Sequence, residues 1–111
     1  MIQQETSYYA TRNSHIPMIF SFADKYTREL FLHERSRHFP ADILTRALDK
    51  LRYIHAAEVL EDLKIPPGNK LKQLTGNRAG QHSIRVNRSW RICFIWDEGK
   101  AFEVELNNHY V

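Results

Sequence analysis

The hydrophobic pattern of this chain changes period once, at Pro66-Pro67-Gly68-Asn69, and this change limits the folds that it can adopt. Before the break, residues 41–57 carry one mostly apolar stripe at helical spacing: Ile43, Leu44, Ala47, Leu48, Leu51, Ile54 and His55. After it, residues 81–86 and 101–106 alternate in polarity, as half-buried strands do. The sequence therefore predicts helices in the first half of the chain and strands in the second.

Shorter signals complete this order. Residues 18–22 predict a short strand, and residues 23–37 a first helix with Asp24 at its positive end. Pro40 separates the two helices, which favours an antiparallel hairpin. Further segments are predicted as a helical turn at 58–63, short strands at 70–74 and 90–96, a loop at 76–80 and a hairpin turn at 97–100. We predict an α+β fold in which an N-terminal strand and a two-helix hairpin pack on an antiparallel sheet of three to four C-terminal strands.

Length and composition indicate one domain. The 111 residues suit a single domain at 18–111, preceded by a polar extension at 1–17 that we expect to be disordered or non-native. A single cysteine, Cys93, leaves no intramolecular disulfide and suits the cytoplasm. No apolar run approaches the roughly 20 residues that span a bilayer, so no membrane partner is expected.

The charge is unevenly distributed along the chain. The formal net charge is only +3, but residues 64–96 contain no Asp or Glu. Seven cations lie in this stretch: Lys64, Lys70, Lys72, Arg78, Arg85, Arg88 and Arg91. A concentration of cations of this kind favours a surface that binds a polyanion, and RNA in particular. The alternative interpretation is the solvated outer face of a half-buried sheet, where Arg85 and Arg91 would lie together if the hairpin register allows it.

Few other residues suggest chemistry. The six histidines show no metal-ligand spacing with cysteine, so no metal and no cofactor is predicted. Cys93 is predicted to be a small buried side chain, and Trp90 and Trp96 to pack in the core, with base stacking as the alternative. His109 and Tyr110 follow the last strand; they either cap the core or carry acid–base chemistry on a phosphodiester.

Several segments of the second half resemble the HigB branch of the RelE toxin superfamily. The resemblance rests on residues 74–87 (LTGNRAGQHSIRVN), residues 90–94 (WRICF) and the acidic-glycine hairpin before residues 101–105 (AFEVE). Residues 18–22 also resemble the opening strand of the family, so that the resemblance covers about residues 18–110. It implies a RelE-like fold.

The resemblance also implies an activity and partners. Members of this family are small ribonucleases that cut messenger RNA, typically on the ribosome, and are neutralised by a HigA-like helix-turn-helix antitoxin. DNA would be contacted only indirectly, through the antitoxin complex. The implied cut is metal-independent: the ribose 2′-hydroxyl attacks the adjacent phosphate, which requires a base, cations and an acid.

The resemblance assigns roles to individual residues. Arg91 is the arginine of the Trp-Arg strand, Lys72 and Thr75 replace a histidine and a lysine of the family, and the terminal Tyr-His pair is present in swapped order. The implied catalytic residues are Lys72, Arg91, His109 and Tyr110, and the implied RNA-binding residues are Lys70, Arg78, Arg85 and Arg88. Because lysine is a poor base near neutral pH, the alternative is a catalytically impaired relative that binds RNA or its antitoxin without cutting. A third alternative is a purely structural interaction domain.

Overall fold

The computed structural model describes residues 18–108 and divides them into two helices and five strands. The helices are α1 (Lys25–His33) and α2 (Leu44–Ala56). The strands are β1 (Met18–Ile19), β2 (Lys72–Gln73), β3 (His82–Arg85), β4 (Arg91–Asp97) and β5 (Lys100–Asn107). Residues 1–17, predicted as an extension, and residues 109–111, which include His109 and Tyr110, lie outside the described residues.

The sheet has the order β1-β5-β4-β3-β2, and its last four strands form the predicted antiparallel meander. The β4–β5 turn has left-handed backbone at Glu98 (φ 49°) and Gly99 (φ 82°), as a two-residue hairpin turn with the twist of the strands requires. Strand β1 joins the edge of β5 in parallel, with Met18 opposite Lys100. The predicted α+β architecture is confirmed, and the parallel edge strand is a feature that the pattern did not predict.

Both predicted helices are present, but the first is shorter than predicted. Asp24 is the N-cap of α1 and its carboxylate accepts the Thr27 N–H at 2.7 Å. The helix ends at His33, because Glu34 adopts a left-handed φ of 61° and Ser36 Oγ then accepts backbone N–H groups of His38 and Phe39. The predicted helical segment 23–37 is therefore wrong at its C-terminal end. Short-range side-chain bonds to the backbone compete there with helix continuation.

The core lies between α2 and one face of the sheet. The predicted stripe of α2 is buried, with Ala47, Leu51 and Ile54 fully covered. They belong to one cluster with buried sheet residues, among them Ile84, Ile92, Phe94, Ala101 and Val104. Each large apolar side chain buried in this way contributes about 1.5–3 kcal/mol. Trp90 and Trp96 are partly buried and pack against this cluster, as their predicted packing role requires. The opposite face of the sheet carries polar and charged side chains such as Ser83, Arg85 and Arg91, together with the buried Cys93.

The buried Thr27 links α1 to β5. Its hydroxyl donates to Asp24 Oδ2 at 3.1 Å and accepts the backbone N–H of Leu106, also at 3.1 Å. Thr27→Val keeps the shape but leaves that buried N–H without its acceptor, so we expect a loss of about 1–3 kcal/mol in the free energy of unfolding, measured with urea. Thr45→Val, at an exposed position of α2, is the matched control and should change it by less than about 0.5 kcal/mol. Equal losses in the two variants would contradict this assignment.

His55 links α2 to β1, because its Nδ1 accepts the backbone N–H of Ile19 at 3.0 Å. Desolvation lowers the pKa of His55 below its usual value. The unfolded chain therefore binds this proton more readily, and the stabilising contribution of neutral His55, complete above about pH 6.5, is lost as the pH falls below that value. His55→Asn retains an acceptor that does not titrate, so its unfolding free energy should fall less steeply than that of the wild type between about pH 6.5 and 5. Identical slopes would contradict the prediction.

Candidate active site

The register of the meander brings the candidate residues together on the face of the sheet that points away from the helices. One row across the sheet contains Lys72, Ser83, Cys93 and Glu105, and the next contains Arg85, Arg91 and Asn107. Arg85 and Arg91 are directly opposite each other, so the expectation that they share a face is confirmed. Paired residues of neighbouring strands project to the same side, which makes these two rows one surface.

Arg91 is the most strongly constrained side chain of this surface. It is only 7% exposed, its Nε donates to Ser83 Oγ at 2.7 Å, and its Nη2 donates to the Lys70 carbonyl at 2.7 Å and to the Ser83 carbonyl at 3.4 Å. These contacts with Ser83 and Lys70 orient the guanidinium. A planar fork held in this way is suited to binding phosphate.

Lys70 and Lys72 lie beside Arg91 on the β2 side. Lys70 adopts a left-handed backbone (φ 50°), which turns its carbonyl toward Arg91 while its own side chain is exposed. Lys72 is exposed on β2, opposite the Ser83 that holds Arg91. The structure thus brings Lys72 and Arg91, two of the predicted catalytic residues, to neighbouring rows. The other two, His109 and Tyr110, are outside the described residues.

Arg78 stands apart from the other predicted RNA-binding residues. Its Nη2 lies 3.2 Å from Glu105 Oε1, and its Nη1 donates to Gln81 Oε1 at 2.9 Å. The segment without acids in the sequence therefore meets an acid in space, contributed by β5. Because an ion pair of this kind satisfies part of the charge, Arg78 is a weaker candidate for an RNA contact than its sequence position suggested.

The remaining predicted cations are distributed more widely. Arg85 is partly buried, Arg88 is exposed in the β3–β4 turn, and Lys64 is exposed at the end of the 3₁₀ turn Leu60–Lys64. A groove of about 560 Å³ is lined by Lys70, Arg85 and Arg88, together with two cations of α2, Arg46 and Lys50. Sequence reasoning missed these two because they lie before the segment without acids, on a helix whose apolar stripe dominated its interpretation.

Cys93 lies in the same row as Ser83 and is fully buried. Desolvation raises the pKa of its thiol, which Arg78 and Arg91 only partly oppose, so Cys93 is protonated at neutral pH. The prediction that Cys93 is a small buried side chain is confirmed. Sequence reasoning missed Ser83 and Glu105 as partners of the two arginines. Strand alternation could have indicated Ser83, because it shares its parity with Arg85.

Within residues 18–108, no group of three or more His, Cys, Asp or Glu side chains is arranged to hold a metal ion. In the same part of the chain, neither helix has the length and hydropathy that crossing a membrane would require.

Comparison with known proteins assigns the chain to a class. Residues 18–109 match the family described as RelE-like toxin of type II toxin-antitoxin system HigB. Toxin HigB-1 of Vibrio cholerae is 38% identical over 93 residues, which cover 83% of this chain and 98% of that protein. Endoribonuclease HigB of Proteus vulgaris is 32% identical over 93 residues, which cover 84% of this chain and 100% of that protein.

The chain is therefore a RelE-like toxin of the type II toxin–antitoxin class. Within that class it belongs to the HigB-like toxin family. Membership in a type II system implies a cognate antitoxin. The resemblance inferred from residues 18–110 is confirmed.

The hydrogen bonds of Arg91 lead to a prediction about stability. Arg91→Lys retains the charge but cannot reproduce the fork that reaches Ser83 and Lys70 together, so buried acceptors lose their donors. We expect a loss of about 1–3 kcal/mol in unfolding free energy, measured with urea. Arg85→Lys, at the paired and more exposed position on β3, should change it by less than about 0.5 kcal/mol. A loss in Arg85→Lys as large as that in Arg91→Lys would refute this account.

Proposed function

We propose that this toxin is an endoribonuclease that cleaves messenger RNA on the ribosome. The observation that carries the proposal is the buried Arg91 guanidinium, oriented by Ser83 and the Lys70 carbonyl beside the exposed Lys72 on the face of the sheet that points away from the helices. The name of the Proteus vulgaris relative, Endoribonuclease HigB, supports the reaction class. The cytoplasm, where messenger RNA is translated, is the proposed location.

Arg91 and Lys72 have the charge that this reaction needs at phosphate. When a 2′-oxygen attacks phosphorus, negative charge gathers on the non-bridging oxygens, and fixed cations stabilise it most when they need no rearrangement. The contacts of Arg91 with Ser83 and Lys70 meet that condition. Lys72, on the neighbouring strand, supplies a second and more mobile charge.

Proton transfer is assigned to His109 and Tyr110. In the proposed step the 2′-hydroxyl loses its proton to a base and its oxygen forms a bond to phosphorus. The bond to the 5′-oxygen then breaks, and that oxygen receives a proton from an acid, leaving a 2′,3′-cyclic phosphate and a 5′-hydroxyl. No metal takes part in this scheme. Supporting the assignment, His109 follows Asn107 by two residues, and Asn107 is paired with Arg91.

The proposed partners follow from the proposed cleavage of messenger RNA on the ribosome. We propose the ribosome with its messenger RNA as the substrate complex, bound in part by Lys70, Arg78, Arg85 and Arg88, and a HigA-like helix-turn-helix protein as the antitoxin. Contact with DNA would occur only through the antitoxin complex. A phosphate-binding role for these cations makes ribosome association sensitive to salt, because each contact releases counterions.

A second candidate is a toxin relative that binds RNA or the antitoxin without cutting. The observation that favours it is Lys72, exposed on β2 where the family resemblance expects a histidine. Lysine keeps the positive charge for phosphate but is a poor proton acceptor near neutral pH. Lys72→His distinguishes the two functions: in an impaired protein it should create cleavage, whereas in an active enzyme it should change an existing rate.

Cleavage of translated messages is the direct test. Programmed ribosomes incubated with the purified protein should yield messenger fragments that primer extension maps to defined positions. His109→Ala should lower the cleavage rate by about 10²–10⁴-fold, because a proton-transfer group is lost. Arg91→Gln should lower it by about 10²–10³-fold, because a fixed charge at the phosphate is lost.

The control for this experiment is Arg52→Gln. Arg52 lies on α2 and pairs with Glu34 at 3.1 Å on an exposed surface, so its loss should leave cleavage unchanged. Cleavage that persists at the wild-type rate in His109→Ala would refute the proposed proton transfer. Intact messages in the presence of every variant, together with salt-sensitive ribosome binding, would favour the second candidate.

A further inference from the structure

A groove of about 560 Å³ lies between α2, the turn after Pro66 and the β3–β4 turn. Among residues 18–108, five of those that line it are cationic: Arg46, Lys50, Lys70, Arg85 and Arg88. The others in this range are Gly68, Val86 and Asn87, so no carboxylate of the described residues lines the groove. A concave surface lined by charges of one sign concentrates the field that it presents to an anion.

The groove is built by the fold and not by chance proximity of long side chains. Arg46 and Lys50 are one helical turn apart on α2, which places them on the same face of the helix. Arg46 Nη1 reaches the Val86 carbonyl at 3.5 Å, and Lys50 Nζ donates to Oδ1 of the fully buried Asn69. Asn69 is itself held by the carbonyls of Leu63 and Ile65. The two α2 cations are thus anchored to opposite walls.

The cationic side chains of the groove are close enough to repel each other. Partial burial, and next the charge of Arg46, lower the pKa of Lys50, while Asp49 opposes them. The two ion pairs among residues 18–108, Arg52–Glu34 and Arg78–Glu105, do not include Arg46, Lys50, Lys70 or Arg85. An anion in the groove would relieve the repulsion between these charges.

The groove begins beside the candidate active site. The Lys70 carbonyl binds Arg91 while the Lys70 side chain lines the groove, and Arg85 is paired with Arg91 across the β3–β4 hairpin. A strand whose phosphate lies at Arg91 can therefore continue into the groove. None of the lining residues within the described part of the chain is aromatic, so these residues are suited to contact the backbone and not to read the sequence.

We infer that this groove is a separate binding site for the sugar–phosphate backbone of RNA next to the cleaved position, with Arg46 and Lys50 as contacts that the chemistry does not use. This inference rests on the proposed function. The bound strand is either the messenger itself or ribosomal RNA, which share the phosphate chemistry. Binding and cleavage are then separable, since the groove contacts are on α2 and the catalytic residues are on the sheet and the tail.

The test measures binding without cleavage. A single-stranded RNA whose 2′-hydroxyls are methylated cannot be cut by 2′-oxygen attack, and its affinity is measured by fluorescence anisotropy over a range of salt concentrations. Arg46→Gln/Lys50→Gln should make the slope of log K against log salt less steep by about 1 to 1.5, because two phosphate contacts are lost. This corresponds to roughly 20-fold weaker binding at 0.1 M salt.

The matched control is Lys25→Gln/Arg28→Gln, which removes two exposed cations from α1 and leaves the groove intact. Because Lys50 also bonds to the buried Asn69, a second groove variant, Arg46→Gln/Arg88→Gln, tests the site without that contact. Thermal unfolding verifies that each variant is folded.

Ribosome sedimentation is the second arm of the test. If the groove variants lose ribosome binding but still bind the methylated strand, the groove is assigned to ribosomal RNA. If they lose both kinds of binding, the groove is assigned to the messenger.

Three results would overturn the inference. If both groove variants bind the methylated strand and the ribosome as tightly as the wild type, the groove is not an RNA-binding site. If the α1 control loses as much affinity as the groove variants, the loss is due to net charge and not to the groove. Intact RNA binding with loss of cognate antitoxin binding would assign the groove to a protein. The proposed function fails separately. If the wild type leaves programmed messages intact while the groove variants alone lose RNA binding, the cleavage proposal is refuted and the groove stands.

Discussion

The donation from Arg91 to Ser83 and to the Lys70 carbonyl is the interaction on which the candidate site depends. It links β4, β3 and the segment before β2 through one guanidinium. Strand β2 has only two residues, so it forms only two residue pairs with β3. The backbone hydrogen bonds of so short a pairing contribute little stability by themselves. The bond to Lys70 and the Leu74–Gln81 backbone bond of 2.8 Å therefore fix the edge of the sheet that carries Lys72. The residue that would hold the phosphate is also the one that positions its neighbour.

The position of Arg91 follows from the division of the sheet into two faces. Alternation sends Ile84 and Ile92 into the core and leaves Ser83 and Arg91 on the other side. A charge that is only 7% exposed is costly unless its donors are satisfied, and Ser83 Oγ and the carbonyls of Lys70 and Ser83 accept hydrogen bonds from Arg91 here. Arg78 is held differently, because Glu105 pairs with it at 3.2 Å.

The sequence predicted well the features that depend on local periodicity. The stripe of α2, the antiparallel meander and the pairing of Arg85 with Arg91 follow from spacing, because helices and strands repeat over a few residues. The end of α1 was missed because Ser36 and the left-handed Glu34 act through specific hydrogen bonds, which periodicity does not contain. The site was predicted only in part for a different reason. Glu105, Arg46 and Lys50 lie far along the chain from the cations that they meet in the fold.

The positions of the cations indicate which property would change because Lys72 and Thr75 replace the histidine and the lysine of the family. In an active site where one histidine accepts the proton, its replacement by lysine should remove the chemistry and leave the binding. The groove cations and Arg91 are on elements that do not depend on Lys72, so the fold would retain the proposed RNA-binding surface whatever the rate of cleavage. The two candidate functions therefore differ in the proposed proton-transfer groups and not in the proposed RNA-binding surface, which the sheet and α2 build together.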